Sequence, residues 1–163
     1  MEQRIAFGSI YLRKANPTDL QFLQFLYTIE DISSFCGSSN NEKLCVDLVN
    51  GNAGSAFIIE NGLGYPVGYI AIFAAPIIKR FCKANWLQYA VQPMYRNCGY
   101  ATQAVTAIVD VIKGELPIAL LINDNNHPSI KVAQKCGFSQ MELFDAVKPT
   151  GERINNEHCW LME

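Results

Sequence analysis

The chain has 163 residues, of which 50% are apolar and 17% charged, and its formal net charge is −2. That size and balance fit one domain with a sizeable core; they exclude a disordered chain and an extended nucleic-acid surface. No apolar run approaches the ~20 residues of a membrane span, and Met1-Glu2-Gln3-Arg4 has no apolar signal core, so a cytoplasmic protein without a membrane partner is expected.

Residues 10–13 read as a first strand. Asn16-Pro17 then supplies a helix cap and an early proline, followed by a stripe of Leu20, Leu23, Leu26 and Tyr27. A polar stretch at 37–41 precedes a second helix that turns Leu44, Leu48 and Val49 inward and stops at 51–54. Residues 56–60 and 67–73 form a hairpin around a glycine-containing turn at 61–65. Pro76 and a basic loop at 79–83 lead to a strand at 86–91.

Ala101, Val105, Ile108, Val109 and Ile112 fall on one face of a helix. Residues 117–122 are a nearly continuous apolar run, as in a buried strand. A helix over 126–136 is closed by Gly137, and strands at 138–147 and 157–162 finish the chain around a turn at 148–151. The order is βααβββαβαββ, a single α/β domain over residues 1–163 with a mixed sheet of about seven strands and about four helices. The unit from 86 to 122 is expected to be a right-handed parallel crossover.

Six cysteines (Cys36, Cys45, Cys82, Cys98, Cys136, Cys159) stand without CxxC pairs or neighbouring histidines. Neither a metal site nor a disulfide framework is expected, and most read as small core residues. Cys98 differs, since it lies beside a helix start where a thiol becomes more reactive.

That helix start carries the chemistry. In Val91-Gln92-Pro93-Met94-Tyr95-Arg96-Asn97-Cys98-Gly99-Tyr100-Ala101-Thr102, Pro93 stops the strand and Gly99 opens the helix. The unsatisfied N–H groups of a helix start favour a phosphate. Gly99 lets a ligand approach the backbone, Ala101 keeps the first turn slim, and no acidic residue occurs from Arg96 to Val109. Arg96 adds a positive charge beside it. The same residues also suit a plain strand-to-helix turn.

Two later features join this loop. Asn126-His127-Pro128-Ser129 opens the next helix, and Lys135-Cys136-Gly137-Phe138 ends it. The series Arg96-x-x-Gly99-x-Ala101, Asn126-x-x-Ser129 and Lys135-x-Gly137-Phe138 resembles the GNAT superfamily of acyl-CoA-dependent N-acetyltransferases. It looks most like the branch that acetylates ribosomal-protein amino termini.

The resemblance implies acetyl-CoA as cosubstrate. The backbone of Arg96, Asn97, Cys98, Gly99, Tyr100, Ala101 and Thr102 would hold its pyrophosphate, and Tyr89, Ala90 and Val91 would pair with the pantetheine arm. The strands at 86–91 and 117–122 would splay to admit that arm. Asn126 and Ser129 would line the slot near the thioester, and an N–H around Val91 would bind the thioester oxygen. The acceptor would be a primary amine of a small molecule, a polyamine or a protein amino terminus, attacking the thioester directly. Dimerisation through late strands is a further expectation of the family.

Two family features are missing. The tyrosine that serves many members as general acid is Ala133 here, and a frequent strand acid is replaced by Trp86. The resemblance makes Ser129 the candidate acid, although a solvated first-turn serine would look the same. No base is assigned; His127, Glu60, Glu142 and Asp145 are the titratable alternatives. A CoA-binding module without catalysis is the competing expectation. A nucleotide-binding domain is disfavoured, since no GxxxxGK[ST] loop occurs. The acceptor itself has no recognisable code in the first two helices, the 63–65 turn, the 76–83 loop or the last hairpin.

Overall fold

The computed structural model describes residues 3–77, 82–114, 116–141 and 157–163. Strands β1 (Arg4–Phe7) and β2 (Ile10–Lys14) precede helices α1 (Leu20–Tyr27), α2 (Glu30–Cys36) and α3 (Asn41–Asn50). Next come β3 (Ser55–Asn61), β4 (Pro66–Ile77), β5 (Cys82–Val91), α4 (Tyr100–Ile112), β6 (Ile118–Asn123), α5 (His127–Lys135), β7 (Ser139–Gln140) and β8 (Glu157–Met162). One sheet runs in the order β1-β2-β3-β4-β5-β6-β8-β7. Among the described residues only the β5–β6 pair is parallel; the others are antiparallel.

The α/β architecture is as expected, with two additions that give eight strands and five α-helices among the described residues. Strand β1 is four residues long, alternates exposed with half-buried positions, and lies at the sheet edge. Such a short edge strand leaves little alternation to read. Helix α2 buries only Ile32 and contains two serines, so it lacks an apolar stripe. Glu30 and Asp31 in its first turn were the available signal. Residues 79–81, the 148–151 turn, and Glu142 and Asp145 lie outside the described residues, as does the part of the expected 138–147 strand beyond 141.

Local chemistry explains the element ends. Asn16 accepts from the Thr18 N–H at 2.9 Å, and Asp19 returns to the Asn16 N–H at 2.9 Å, a reciprocal box that starts the first helical region. Helix α5 ends with the Phe138 N–H on the Ala133 carbonyl (3.0 Å) and the Gly137 N–H on that of Gln134 (3.2 Å). Phe138 is thereby turned into the core.

The sheet is covered on both faces. Helices α4 and α5 pack Val105, Ile108 and Ala133 against Leu12, Ile59, Ile70, Leu87 and Leu120. On the other face α1, α2 and α3 set Leu23, Leu26, Ile32 and Leu48 over Ile58, Tyr69 and Ala90. Behind the first hairpin, Arg13 holds Asp19 (2.7 and 2.8 Å) and Glu60 (2.7 Å), and Arg4 reaches Glu60 at 2.7 Å. Burial works against the charge on Asp19, but Arg13 and the Asn16 N–H outweigh it and hold that carboxyl below its ordinary range.

One discontinuity positions everything that follows. Strand β5 pairs with β4 along its whole length, yet it pairs with β6 only from Asn85 to Leu87, opposite Ile118 to Leu120. Beyond Leu87 the two parallel strands part.

Candidate active site

The gap between β5 and β6 exposes strand backbone. The Asn85 N–H donates to the Pro117 carbonyl at 2.8 Å, so by the two-residue alternation Tyr89 and Val91 turn their N–H and C=O groups the same way. Their carbonyls are engaged, Tyr89 O by the Cys36 thiol (3.4 Å) and Val91 O by Arg96 Nε (3.0 Å). Their N–H groups face the gap.

Two cavities open on it. One, of about 490 Å³, is lined by Tyr89, Ala90, Val91, Arg96, Asn97, Gly99 to Thr102, Asn126 and Ser129. The structure thus brings together eleven of the twelve residues that the sequence singled out. Cys98 is the exception: its side chain is exposed and outside the cavity, with Sγ on the Arg96 carbonyl at 3.5 Å. The second cavity, of about 570 Å³, lies toward α3 and includes Ser38, Asn40, Asp47, Phe73, Gln88 and Asn123. The two share Phe35, Cys36, Tyr89, Asn126 and Ser129, so they meet at the gap.

The first cavity ends on a positive backbone pole. Asn97 (φ 61°) and Gly99 (φ 78°) are both left-handed, which bends the loop sharply into the start of α4. Gly99 caps α4 without a side chain, and the first turn holds no acid. The N–H groups of Tyr100, Ala101 and Thr102 therefore have no partner within the helix. An anion suits this end, as the sequence suggested.

Arg96 departs from the expected picture. Its guanidinium is not a free charge beside that pole: Nη1 and Nη2 grip Asp31 of α2 at 2.5 and 3.0 Å. The Arg96 hydrogen bonds hold the Asp31 carboxyl below its ordinary range. The sequence had no means of showing this, because the partner lies 65 positions away in a helix without a stripe.

At the meeting point, Asn126 caps α5 by accepting from the Ser129 N–H at 3.4 Å. The Tyr89 hydroxyl donates to Ser129 Oγ at 3.1 Å. Burial pushes the Tyr89 phenol well up, and the bond to Ser129 acts in the opposite direction. Tyr89 had been singled out for its backbone alone; its hydroxyl went unnoticed.

Of the titratable alternatives for a base, Glu60 is engaged by Arg4 and Arg13, and His127 is exposed and lines neither cavity. Lys131 carries no role in the sequence reading, and Lys135 only that of a helix-stop motif. They stand one turn apart on α5, at the margin of the first cavity, and their i, i+4 spacing was the signal. Among the described residues no group of His, Cys, Asp and Glu is placed to hold a metal ion, and no helix is long and apolar enough to cross a membrane.

A family model for the acetyltransferase (GNAT) family matches residues 21–138. Among solved structures, the chain is similar to an acetyltransferase from Agrobacterium tumefaciens, with 16% identity, coverage of 100% of this chain and 95% of that one, and a TM-score of 0.79. It is similar to the spermidine N-acetyltransferase from Vibrio cholerae in complex with CoA and spermine (19%, 94% and 95%, TM-score 0.70). A ribosomal L7/L12 alpha-N-protein acetyltransferase is also similar (13%, 99% and 94%, TM-score 0.72). At these identities the likeness is one of fold. A comparison with curated proteins finds no match.

Proposed function

The chain belongs to the GNAT family of acetyltransferases, and from that premise we propose that it transfers an acetyl group from acetyl-CoA to a primary amine. The observation that carries this reading is the meeting of two cavities at Tyr89, Asn126 and Ser129, one of them ending on the anion-seeking turn of α4. In this reading the N–H groups at 100–102 take the pyrophosphate, and Lys131 and Lys135 add positive charge. The Tyr89 and Val91 N–H groups serve the pantetheine arm and the thioester oxygen. Holding amine and thioester in attack geometry, with donors aimed at the developing charge, then supplies most of the rate. Ser129 faces the sulfur as the proton donor.

The second cavity is the acceptor's. Among its described lining residues the charged side chains are Lys43 and Asp47, joined at 2.5 Å. Neutral polar groups such as Ser38, Asn40, Gln88 and Asn123 make up much of the rest. That wall favours an acceptor with one ammonium, a protein amino terminus or small monoamine, over a polyamine. It is compatible with the ribosomal amino-terminal branch.

The competing reading is a module that binds CoA without turnover. Ala133 is fully buried, and the Trp86 indole N–H is occupied by the Ala75 carbonyl at 3.2 Å. Neither position supplies the acid that other members place there.

The test measures thermal stabilisation by acetyl-CoA and thiol release across a panel of monoamines, peptides and polyamines. At 100 times its Kd a ligand stabilises by about 2.7 kcal/mol. Stabilisation with turnover on monoamines or peptides is expected. Stabilisation without turnover on any amine would establish the module, and no stabilisation would sink both.

A further inference from the structure

We propose that Tyr89 is a positioning residue for acetyl transfer, acting through Ser129. The proposal rests on the reading of Ser129 as proton donor, and adds what makes a serine capable of it. An isolated serine hydroxyl is a poor acid, because charge left on its oxygen is costly. Here the Tyr89 hydroxyl donates to Ser129 Oγ at 3.1 Å. The bond does two things. It occupies one acceptor site of Oγ, which leaves the serine's single proton free to turn into the gap. It also places a donor against the oxygen at the moment that oxygen gives up its proton.

The surroundings keep this arrangement fixed. The Tyr89 ring packs against the core under α4 and α5. Its backbone carbonyl is held by the Cys36 thiol at 3.4 Å. Ser129 is fixed in the first turn of α5 by Asn126. Both residues border the two cavities, so the pair stands where donor and acceptor must meet. Burial opposes ionisation of the phenol, so it stays a donor into alkaline conditions.

The step balances without a further reactant. The amine lone pair forms the N–C bond, and the C–S bond breaks with its electrons going to sulfur. Sulfur takes the Ser129 proton. Ser129 recovers, through water, the proton that the new amide nitrogen releases. Tyr89 keeps its own proton throughout.

Tyr89→Phe removes the hydroxyl and retains the ring, so folding and acetyl-CoA binding are preserved. The expected result is a fall of about tenfold in kcat, the scale of one hydrogen bond to a developing charge, with KM for acetyl-CoA within about twofold. In a Ser129→Ala background the same change is expected to do nothing further, since the two act as one unit. An unchanged kcat in Tyr89→Phe, an equal loss in both backgrounds, or a loss confined to KM would overturn the role of Tyr89 while leaving acetyl transfer intact. Absence of turnover by the unaltered protein would overturn this inference together with the reading it rests on. Should Tyr89→Phe unfold, Ser129→Ala tests the pair from its other member: a fall of about tenfold or more in kcat with KM for acetyl-CoA held is expected, and an unchanged kcat overturns the inference.

Discussion

Arg96 and Asp31 are joined by two hydrogen bonds, 2.5 and 3.0 Å long, that tie the loop before α4 to the first turn of α2. The third guanidine donor, Nε, fixes the Val91 carbonyl at 3.0 Å. One side chain thus aligns the end of β5 with two walls of the same cavity, and Asp31 sets a negative charge beside a site suited to anions.

Asp31→Asn and Arg96→Ala are therefore expected to act in opposite directions on acetyl-CoA. The first removes the competing carboxylate, and calorimetry is expected to show affinity up by a few fold. The second loses the cation and the grip on Val91, and affinity falls by about tenfold, on the scale of a charged hydrogen bond. Both partners are more than a third exposed, so either change lowers stability by no more than about 1 kcal/mol. Weaker binding by Asp31→Asn would refute the competition.

Gly99 separates charge from backbone strain. Gly99→Ala places a side chain at φ 78°, a cost of about 1–2 kcal/mol, but adds no charge. It is expected to melt a few degrees lower and still gain stability with acetyl-CoA. Gly99→Glu adds an anion beside the unpartnered N–H groups, and ligand-induced stabilisation is expected to vanish in a protein that remains folded by circular dichroism. Retained stabilisation in Gly99→Glu would place the pyrophosphate elsewhere.

Gly68 governs the slot from the opposite side. A Cβ there would stand 2.2 Å from the Ala90 carbonyl and 3.0 Å from Val91 Cα, so β4 and β5 would have to part. Gly68→Ala is expected to cost about 1–3 kcal/mol, as overpacking does. Because the displaced segment carries the Val91 N–H, acetyl-CoA affinity should fall with it. Urea melts and calorimetry on one sample check both, and a destabilised variant with unaltered affinity would contradict the coupling.

The Arg13 cluster predicts acid sensitivity far from the slot. Asp19 is held below its ordinary range, so the stability it contributes is complete above its unfolded value of about 4 and drains away as pH falls through the lower folded value. Asp31 follows the same sign. Arg13→Met leaves the buried Asp19 carboxylate without its ionic partner, while Glu60 keeps Arg4, and is expected to cost about 3–5 kcal/mol at pH 7. The deficit should shrink below pH 4, where Asp19 takes up a proton. A deficit independent of pH would mean that packing, not charge, is what Arg13 supplies.

The sequence conveyed much of this molecule because its signals are local. The Asn16 box, the Gly99 helix start and the Gly137 helix stop each act within five residues, and all three occur where the spacing placed them. The residues around the slot were legible for the same reason. What stayed hidden depends on distant partners. Helix α2 has no stripe because it rests on the sheet through Ile32 and on Arg96 through Asp31. The hydroxyl pair of Tyr89 and Ser129 joins residues 40 positions apart and leaves no pattern in either segment.

The parting of β5 and β6 after Leu87 also has a consequence for exchange with solvent. The amides of Tyr89 and Val91 belong to a central strand, yet among the described residues no strand pairs with them on that side. In the free protein their hydrogens should exchange with deuterium faster than those of Gln88 and Ala90, which face β4 in the ladder. A ligand laid along the gap would slow the fast pair and leave the slow pair alone. Its docking would then be visible in two amide signals, without any chemistry taking place.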